Sequence, residues 1–327
     1  MNDFEATAAV RPIPWAEFRA ELLALYNPPL RTPATYREMV RVFNLVGTLD
    51  VETTAGLDVS LIARLVASRP AAGSSNTTLK HLRGIRAMAN YAVRSGYLRI
   101  SPFAIRPVSS WARKSPPKGK RRLSREEIRR ILDVLAADVE AGKGWRGWKA
   151  RRLQALVCVY GYCGLRAAEG QRLHVEDLDI PGRIIHVRPR EDHRLKTETS
   201  AAPVPMPLAL VPILTDWLGH RLDGPPGFAL PASVPWLFPN CRRRGPWVQG
   251  TPGQKPLDAF QAVARRAGVE GATFQALRRS LATHLRYFGV GSGLASTVLR
   301  HSVEVDEEFY NGPDLDNLRD AVKDVEF

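Results

Sequence analysis

Six side chains in the second half of the sequence have the types needed for chemistry at a phosphodiester. Cutting or joining such a bond without a metal requires a nucleophile, cations that hold the non-bridging oxygens, and an acid for the leaving oxygen. Arginine is the best phosphate clamp, because its planar fork binds two oxygens at once. The six candidates are Arg166, Lys196, Gln275, Arg278, His301 and Tyr310.

Their spacing favours a common site. Arg166 follows a Gly-Leu break after an apolar helical stretch, and Gln275 and Arg278 lie three residues apart on one face of a predicted helix. His301 and Tyr310 are nine residues apart. A free tyrosine has a pKa of about 10, and nearby guanidinium groups favour its phenolate. No trio of carboxylates has the spacing of a two-metal site, so the sequence predicts neither a metal nor another cofactor.

The charge predicts a polyanionic partner. The chain has 327 residues, with 47 Lys and Arg against 33 Asp and Glu, a net charge of +14. Nucleic acid is the first candidate for that partner and an anionic membrane surface the second, while the alternative is a charge that only maintains solubility.

Other compositional features exclude several classes of protein. The most apolar run, residues 153–165, is too short for a bilayer, and the N-terminus lacks the pattern of a signal peptide. Three cysteines are too few for a disulfide scaffold, and Cys158 and Cys163 are predicted to be core thiols. We therefore expect a cytoplasmic protein with no membrane partner.

The chain divides into two predicted domains. Residues 1–103 show helical periodicity in about four segments, with Thr35 a candidate cap for the second, Asp58 or Ser60 for the third, and Thr77 or Thr78 for the fourth. Residues 104–122 are rich in proline, serine, lysine and arginine without hydrophobic period, which predicts an extended basic linker. Residues 123–327 form the second domain.

Two basic segments are candidate contacts for a phosphate backbone. The first belongs to the predicted linker, and the second lies in a loop of the second domain, where the alternative is a solvated surface. The candidates are Arg113, Lys114, Lys118, Lys120, Arg121, Arg122, Arg242, Arg243 and Arg244.

The second domain mixes helices with short strands. Ser124 and Glu127 form a predicted capping box, and a further helix covers about 148–162. Strand-like runs follow at 175–180, 184–188 and 201–206, and the prolines of the third predict an edge strand. Lys196 falls in the turn between the last two runs. The predicted fold class is mainly α with a small antiparallel β-sheet, that is, α+β.

The second domain resembles the catalytic domain of the tyrosine recombinase (phage integrase) family over residues 123 to about 325. Four boxes occur in the family's order: GLRAAE, LKTETSAAPVPMP, QALRRSLATH and LRHSVEVDEEFY. The first domain resembles the family's helical core-binding domain, with Asn-Thr-Thr at 76–78 opening its last long helix. Four ordered boxes, with the His–Tyr spacing kept, are a specific signal.

The resemblance implies a site-specific recombinase that acts on double-stranded DNA and self-associates into a tetramer on it. Arg166 and Arg278 would hold the scissile phosphate, with Glu169 bracing them. His301 would contact a non-bridging oxygen. Lys196 would protonate the leaving 5′ oxygen, and Tyr310 would attack phosphorus to give a 3′-phosphotyrosyl intermediate without metal or ATP.

Two positions depart from the family's pattern. Gln275 stands where the family usually has histidine, and it can donate a hydrogen bond but cannot exchange a proton near neutral pH. Arg300 stands where the family more often has glycine, and we expect it to touch DNA or face solvent. Two alternatives follow: a catalytically impaired, sequence-specific DNA-binding protein of the same fold, and a type IB topoisomerase-like nicking-closing enzyme.

Overall fold

The computed structural model describes residues 10–68, 75–112, 120–190, 201–224, 229–240, 245–248 and 255–300. The chain divides into two compact units, residues 1–118 and 119–327. The division falls inside the stretch that the sequence predicts as a linker. Each unit has a hydrophobic core of its own.

The described part of the first unit is helical. Thr32 caps α2 by accepting a hydrogen bond from the Thr35 backbone, so the cap lies three residues before the predicted one. Asp58, one of the two predicted candidates, caps α3. The fourth helix begins ahead of Thr77, which lies within it. The helices are α1 (Trp15–Ala24), α2 (Pro33–Gly47), α3 (Val59–Ala67), α4 (Ser75–Arg94) and α5 (Pro102–Ile105).

Residues 104–112 differ from the extended linker that the sequence predicts there. The short helix α5 is followed by a turn of 3₁₀ helix at Val108–Ser110. Val108 and Trp111 then pack against the core of the first unit, and the Arg106 guanidinium lies 3.8 Å from the centre of the Trp111 ring. The packing of Val108 and Trp111 and the cation–π contact of Arg106 stabilise a folded conformation here, although the composition of the segment is that of a linker.

The second unit is built around one long buried helix. Helix α7 packs against α6, α9 and α11, and the thiols of Cys158 and Cys163 are buried in it, as predicted. The Ser124–Glu127 capping box opens α6, also as predicted. The helices of the described part are α6 (Arg125–Ala141), α7 (Gly144–Cys163), α8 (Ala167–Gln171), α9 (Val211–His220), α10 (Pro256–Arg266), α11 (Phe274–Tyr287) and α12 (Ser292–Leu299).

Small antiparallel sheets complete the unit. Strands β1 (Leu178–Asp179), β2 (Ile184–His186) and β3 (Pro203–Pro205) pair in that order, with Ile185 opposite both Leu178 and Val204. The proline-bearing strand is thus at the edge, as predicted. A second pair joins β4 (Pro239–Asn240) and β5 (Gly245–Pro246). The predicted class, mainly α with small antiparallel sheets, is confirmed. Among the described helices, none is long and apolar enough to cross a membrane.

Candidate active site

The Gly-Leu-Arg sequence forms a sharp turn that places Arg166 at the start of a helix. Gly164 caps the C-terminal end of helix α7, and its φ of +59° lies in the left-handed region that favours glycine. A Cβ atom there would lie 2.7 Å from Cδ2 of Leu299. Leu165 is buried, and Arg166 then precedes α8 as its N-terminal cap. The glycine therefore allows both the turn and the close approach of α12.

A buried carboxylate holds Arg166. Nη1 of Arg166 donates to Oε1 of Glu169 at 2.8 Å, and the Arg166 backbone N–H donates to Oε2 at 2.8 Å. The Glu169 side chain is 2% exposed. Burial alone would raise the pKa of this carboxyl, but the Arg300 charge and the hydrogen bonds from Arg166 outweigh burial and lower the pKa. Glu169 therefore favours the ionised form and contacts Arg166 through both carboxylate oxygens, while the bracing role that the resemblance implies stays a prediction.

Arg278 projects from α11 into the interior of the unit. The side chain of Thr273 caps this helix by accepting from the Ala276 N–H at 3.0 Å. Arg278 is only 2% exposed, and its two Nη atoms donate to the carbonyls of Gly164 and Leu299. It thus ties together the ends of α7 and α12.

One tyrosine supports both arginine-bearing helices. The hydroxyl of buried Tyr160 donates to the Ala167 carbonyl in α8 at 2.7 Å. Its ring lies against Phe274, the first residue of α11, with centroids 4.2 Å apart. A Cβ on Gly170 would lie 2.7 Å from the ring, so α8 packs directly on the tyrosine. Burial raises the pKa of Tyr160 well above its ordinary value, so it remains a neutral hydrogen-bond donor.

Arg300 belongs to the interior, which corrects the expectation that it touches DNA or faces solvent. It ends α12 with a φ of +53°, and its Nη2 forms an ion pair with Oε2 of Glu169. Its carbonyl accepts a hydrogen bond from Nη2 of Arg166 at 2.9 Å. The physical reason is the carboxylate, whose charge offsets the cost of burying a cation. The sequence marks Arg300 as unusual for the family, but no pattern near it predicts that its side chain is buried.

The cluster formed by Arg166, Glu169, Arg278 and Arg300 combines three cations and one anion. Arg166 and Arg278 donate to the carbonyls of consecutive residues, 300 and 299, so both side chains are anchored at the C-terminal end of α12. The net charge of the cluster with Glu169 and Arg300 is +2. Such a cluster is suited to hold an anion with several oxygens.

Of the other predicted catalytic residues, only Gln275 lies within the described part of the chain. Gln275 is exposed on α11, one turn before Arg278. Lys196, His301 and Tyr310 lie outside the described residues, so their predicted roles stay predictions. Within the described ranges, no group of three or more His, Cys, Asp or Glu side chains is arranged to hold a metal.

The predicted basic contacts are only partly within the described residues. Arg121 forms an ion pair with Glu127, and its Nε donates to the Glu270 carbonyl at 3.1 Å. Lys120 and Arg122 are half-buried. The remaining candidates lie outside the described residues: Arg113, Lys114, Lys118, Arg242, Arg243 and Arg244.

The sequence is similar to known recombinases. The sequence model of the phage integrase family matches residues 121–304, more than half of the chain. Tyrosine recombinase XerC of Pseudomonas fluorescens (strain Pf-5) is 26% identical over 297 residues, covering 89% of this chain and 88% of the relative. Tyrosine recombinase XerA of Pyrococcus furiosus is 23% identical over 210 residues, covering 64% and 63%.

Solved structures share the fold. The Tn1549 transposon integrase in complex with a circular intermediate DNA matches with a TM-score of 0.70 at 15% identity, covering 96% of this chain and 100% of that one. Lambda integrase (residues 75–356) bound to DNA matches with a TM-score of 0.65 at 13% identity, with the same coverage. The family match includes the Gly164 turn, Glu169 and the Arg278 helix, and the chain is therefore a member of the phage integrase family, the tyrosine recombinases.

Proposed function

We propose that this chain is a site-specific DNA recombinase that cleaves and rejoins DNA strands through a covalent 3′-phosphotyrosyl intermediate. One observation carries the proposal: Arg166 and Arg278, from distant parts of the sequence, donate to the carbonyls of consecutive residues, 300 and 299, at the end of α12. We infer that N–H donors of both guanidinium groups that these contacts leave over bind the non-bridging oxygens of one phosphate, since arginine is suited to binding phosphate.

The proposed partner is double-stranded DNA. The solved Tn1549 and lambda integrases of this fold are described as bound to DNA, and the chain's net charge is +14. Each phosphate that the protein neutralises should steepen the salt dependence of binding by about 0.9 in log–log slope. Lys120, Arg121 and Arg122 are proposed contacts. Arg121 would exchange its ion pair with Glu127 for a phosphate. We extend the proposal to a tetramer on DNA, as the family resemblance implies.

The proposed reaction exchanges one phosphoester for another. The phenolate oxygen of Tyr310 attacks phosphorus while Arg166, Arg278 and His301 hold the non-bridging oxygens. A bond forms between that phenolate and phosphorus, the bond from phosphorus to the 5′ oxygen breaks, and Lys196 donates its proton to the leaving oxygen. Attack by a 5′ hydroxyl reverses these steps and rejoins the strand. Because the ester bond energy is conserved, the reaction needs no ATP, and the cations named make a metal unnecessary.

Gln275 has a limited role in this scheme. Its amide can donate a hydrogen bond to a phosphate oxygen from the helix that carries Arg278, but it cannot transfer a proton. Proton transfer to the leaving oxygen therefore falls to Lys196.

The test is formation of a covalent protein–DNA adduct. Duplexes that the protein binds are first selected from a random-sequence pool and then rebuilt with a nick next to the scissile position, so that the cleaved end is lost and rejoining fails. The wild-type protein should form the adduct in EDTA and without nucleotide. The Tyr310→Phe variant should form none, whereas Tyr287→Phe, which changes an exposed tyrosine of α11, should match the wild type.

Other outcomes separate the alternatives. DNA binding without any adduct supports the DNA-binding protein and refutes the proposal. An adduct accompanied by relaxation of supercoiled DNA, but never by recombinant products between two selected sites, supports a topoisomerase-like enzyme instead.

A further inference from the structure

Arg300 is the one member of the described cluster that the proposed reaction leaves without a role. Its side chain is 1% exposed, and its Nη2 is paired with Oε2 of Glu169. Its carbonyl oxygen accepts from Nη2 of Arg166 at 2.9 Å. This single residue therefore contacts both halves of the Arg166–Glu169 pair.

Backbone preference does not explain an arginine here. The φ of +53° lies in the left-handed region, where glycine is free of strain and other residues are not. The Nε and Nη1 atoms of Arg300 are buried, and neither has a hydrogen-bond partner within the described part of the chain. Glycine would avoid both costs, whereas only a cation supplies the contact with Glu169.

That contact changes the charge available to a phosphate. With Arg166 as its only partner, the Glu169 carboxylate would neutralise the arginine and direct its field away from an incoming anion. Arg300 shares the carboxylate through the second oxygen, so the three groups together carry a net charge of +1. At these short distances in a buried site, the added charge is weakly screened.

We propose that Arg300 is a positioning residue of the strand-transfer reaction: it anchors Glu169, fixes the fork of Arg166 for the scissile phosphate and takes up part of the carboxylate charge. The inference rests on the proposed function, because its effect is exerted on the phosphate that Arg166 holds.

The test compares three substitutions at this position in single-turnover cleavage of the nicked duplex, with DNA affinity measured in parallel. Arg300→Met keeps the aliphatic part of the side chain without its charge and should slow cleavage about tenfold or more, because a small misplacement of the group that holds the phosphate is costly in rate. DNA affinity should change by less than about twofold, because the Arg300 side chain is 1% exposed and is not a proposed DNA contact. Arg300→Lys should restore much of the rate.

Two further variants distinguish a slower reaction from a protein that has simply failed to fold. Arg300→Gly relaxes the backbone and should fold at least as well as Arg300→Met, yet cleave equally slowly. Arg266→Met removes an exposed arginine that pairs with Asp138 at 2.7 Å, and it should cleave at the wild-type rate. If Arg300→Gly cleaves like the wild type, the inference is wrong.

A double substitution identifies the route of the effect. If Arg300 acts through Glu169, then Arg300→Met should add little to the slower cleavage of Glu169→Gln. Fully additive losses would mean that Arg300 acts on the phosphate by itself, and they would overturn the positioning role. The wild-type adduct separates the two proposals: its absence refutes the recombinase and this inference together, whereas its presence with unimpaired Arg300→Met cleavage refutes only the inference.

Discussion

Replacing Glu169 with glutamine keeps the shape of the side chain but removes the charge that Arg166 and Arg300 share. Arg300 then becomes a buried cation without a counter-ion. Removing one member of a buried ion pair costs about 3–5 kcal/mol, a large part of the roughly 5–15 kcal/mol that stabilises a domain. With a urea dependence of about 2 kcal/mol per molar, the unfolding midpoint should fall by roughly 1.5–2.5 M.

The loss of stability in Glu169→Gln should be largest at neutral pH and should shrink as the pH falls. The pKa of the Glu169 carboxyl is lowered in the folded protein, so its stabilising effect is complete above the unfolded value of about 4.3 and disappears as the pH falls through the lower folded value. Wild-type and Glu169→Gln proteins should therefore differ most near neutral pH and converge in acid.

The assay is urea unfolding of both proteins, followed by circular dichroism from pH 7 down to pH 3. The double variant Glu169→Gln/Arg300→Met should recover part of the lost stability, because the buried Arg300 cation is removed together with its counter-ion. As a control, Glu176→Gln removes a carboxylate that is 63% exposed and pairs with Arg190, and it should change stability by less than about 1 kcal/mol. A difference for Glu169→Gln as small as that of the control, or one that persists unchanged in acid, would refute the reasoning.

Three further substitutions test the supports of the site by the same unfolding measurement. Ser280→Ala removes the acceptor of the buried Leu123 N–H, a hydrogen bond of 2.7 Å, and should cost about 1–3 kcal/mol; no measurable loss would mean that water replaces the hydroxyl. Gly164→Ala adds a Cβ at positive φ against α12 and should cost about 2 kcal/mol or more; a stable variant would contradict the close approach. Ser124→Ala breaks the capping box with Glu127 and should cost about 1 kcal/mol, with no effect expected if α6 is held by packing alone.

Local rules predicted those parts of the fold that depend on neighbouring residues. The Ser124–Glu127 box, the Asp58 cap and the proline-bearing edge strand follow from hydrogen bonds and backbone limits within a few positions of the sequence. Helix α2 is capped by Thr32 and not by the predicted Thr35, because proline is favoured at the first helical position, here Pro33, and the Thr32 hydroxyl precedes it directly.

The features that the sequence did not predict depend on contacts between residues far apart in the chain. Residues 108 and 111 fold onto the first core although their surroundings are basic and rich in proline. The family resemblance implied that Glu169 braces the arginines, and Glu169 does contact Arg166, but the boxes did not predict that Arg300 turns inward. Its burial depends on a carboxylate more than a hundred positions away, and no periodicity or local motif carries that information.

The thiol of Cys163 gives the site a chemical reporter. It closes α7 one residue before the Gly164 turn, and burial raises its pKa to about 12 despite the nearby Arg300 charge. At neutral pH it is neither ionised nor reachable, so an alkylating reagent attacks it only while this helix end is transiently open. In a protein whose other cysteines are changed to serine or alanine, the rate at which Cys163 is labelled would report how often this end of α7 opens. A duplex that binds the arginine cluster should lower that labelling rate.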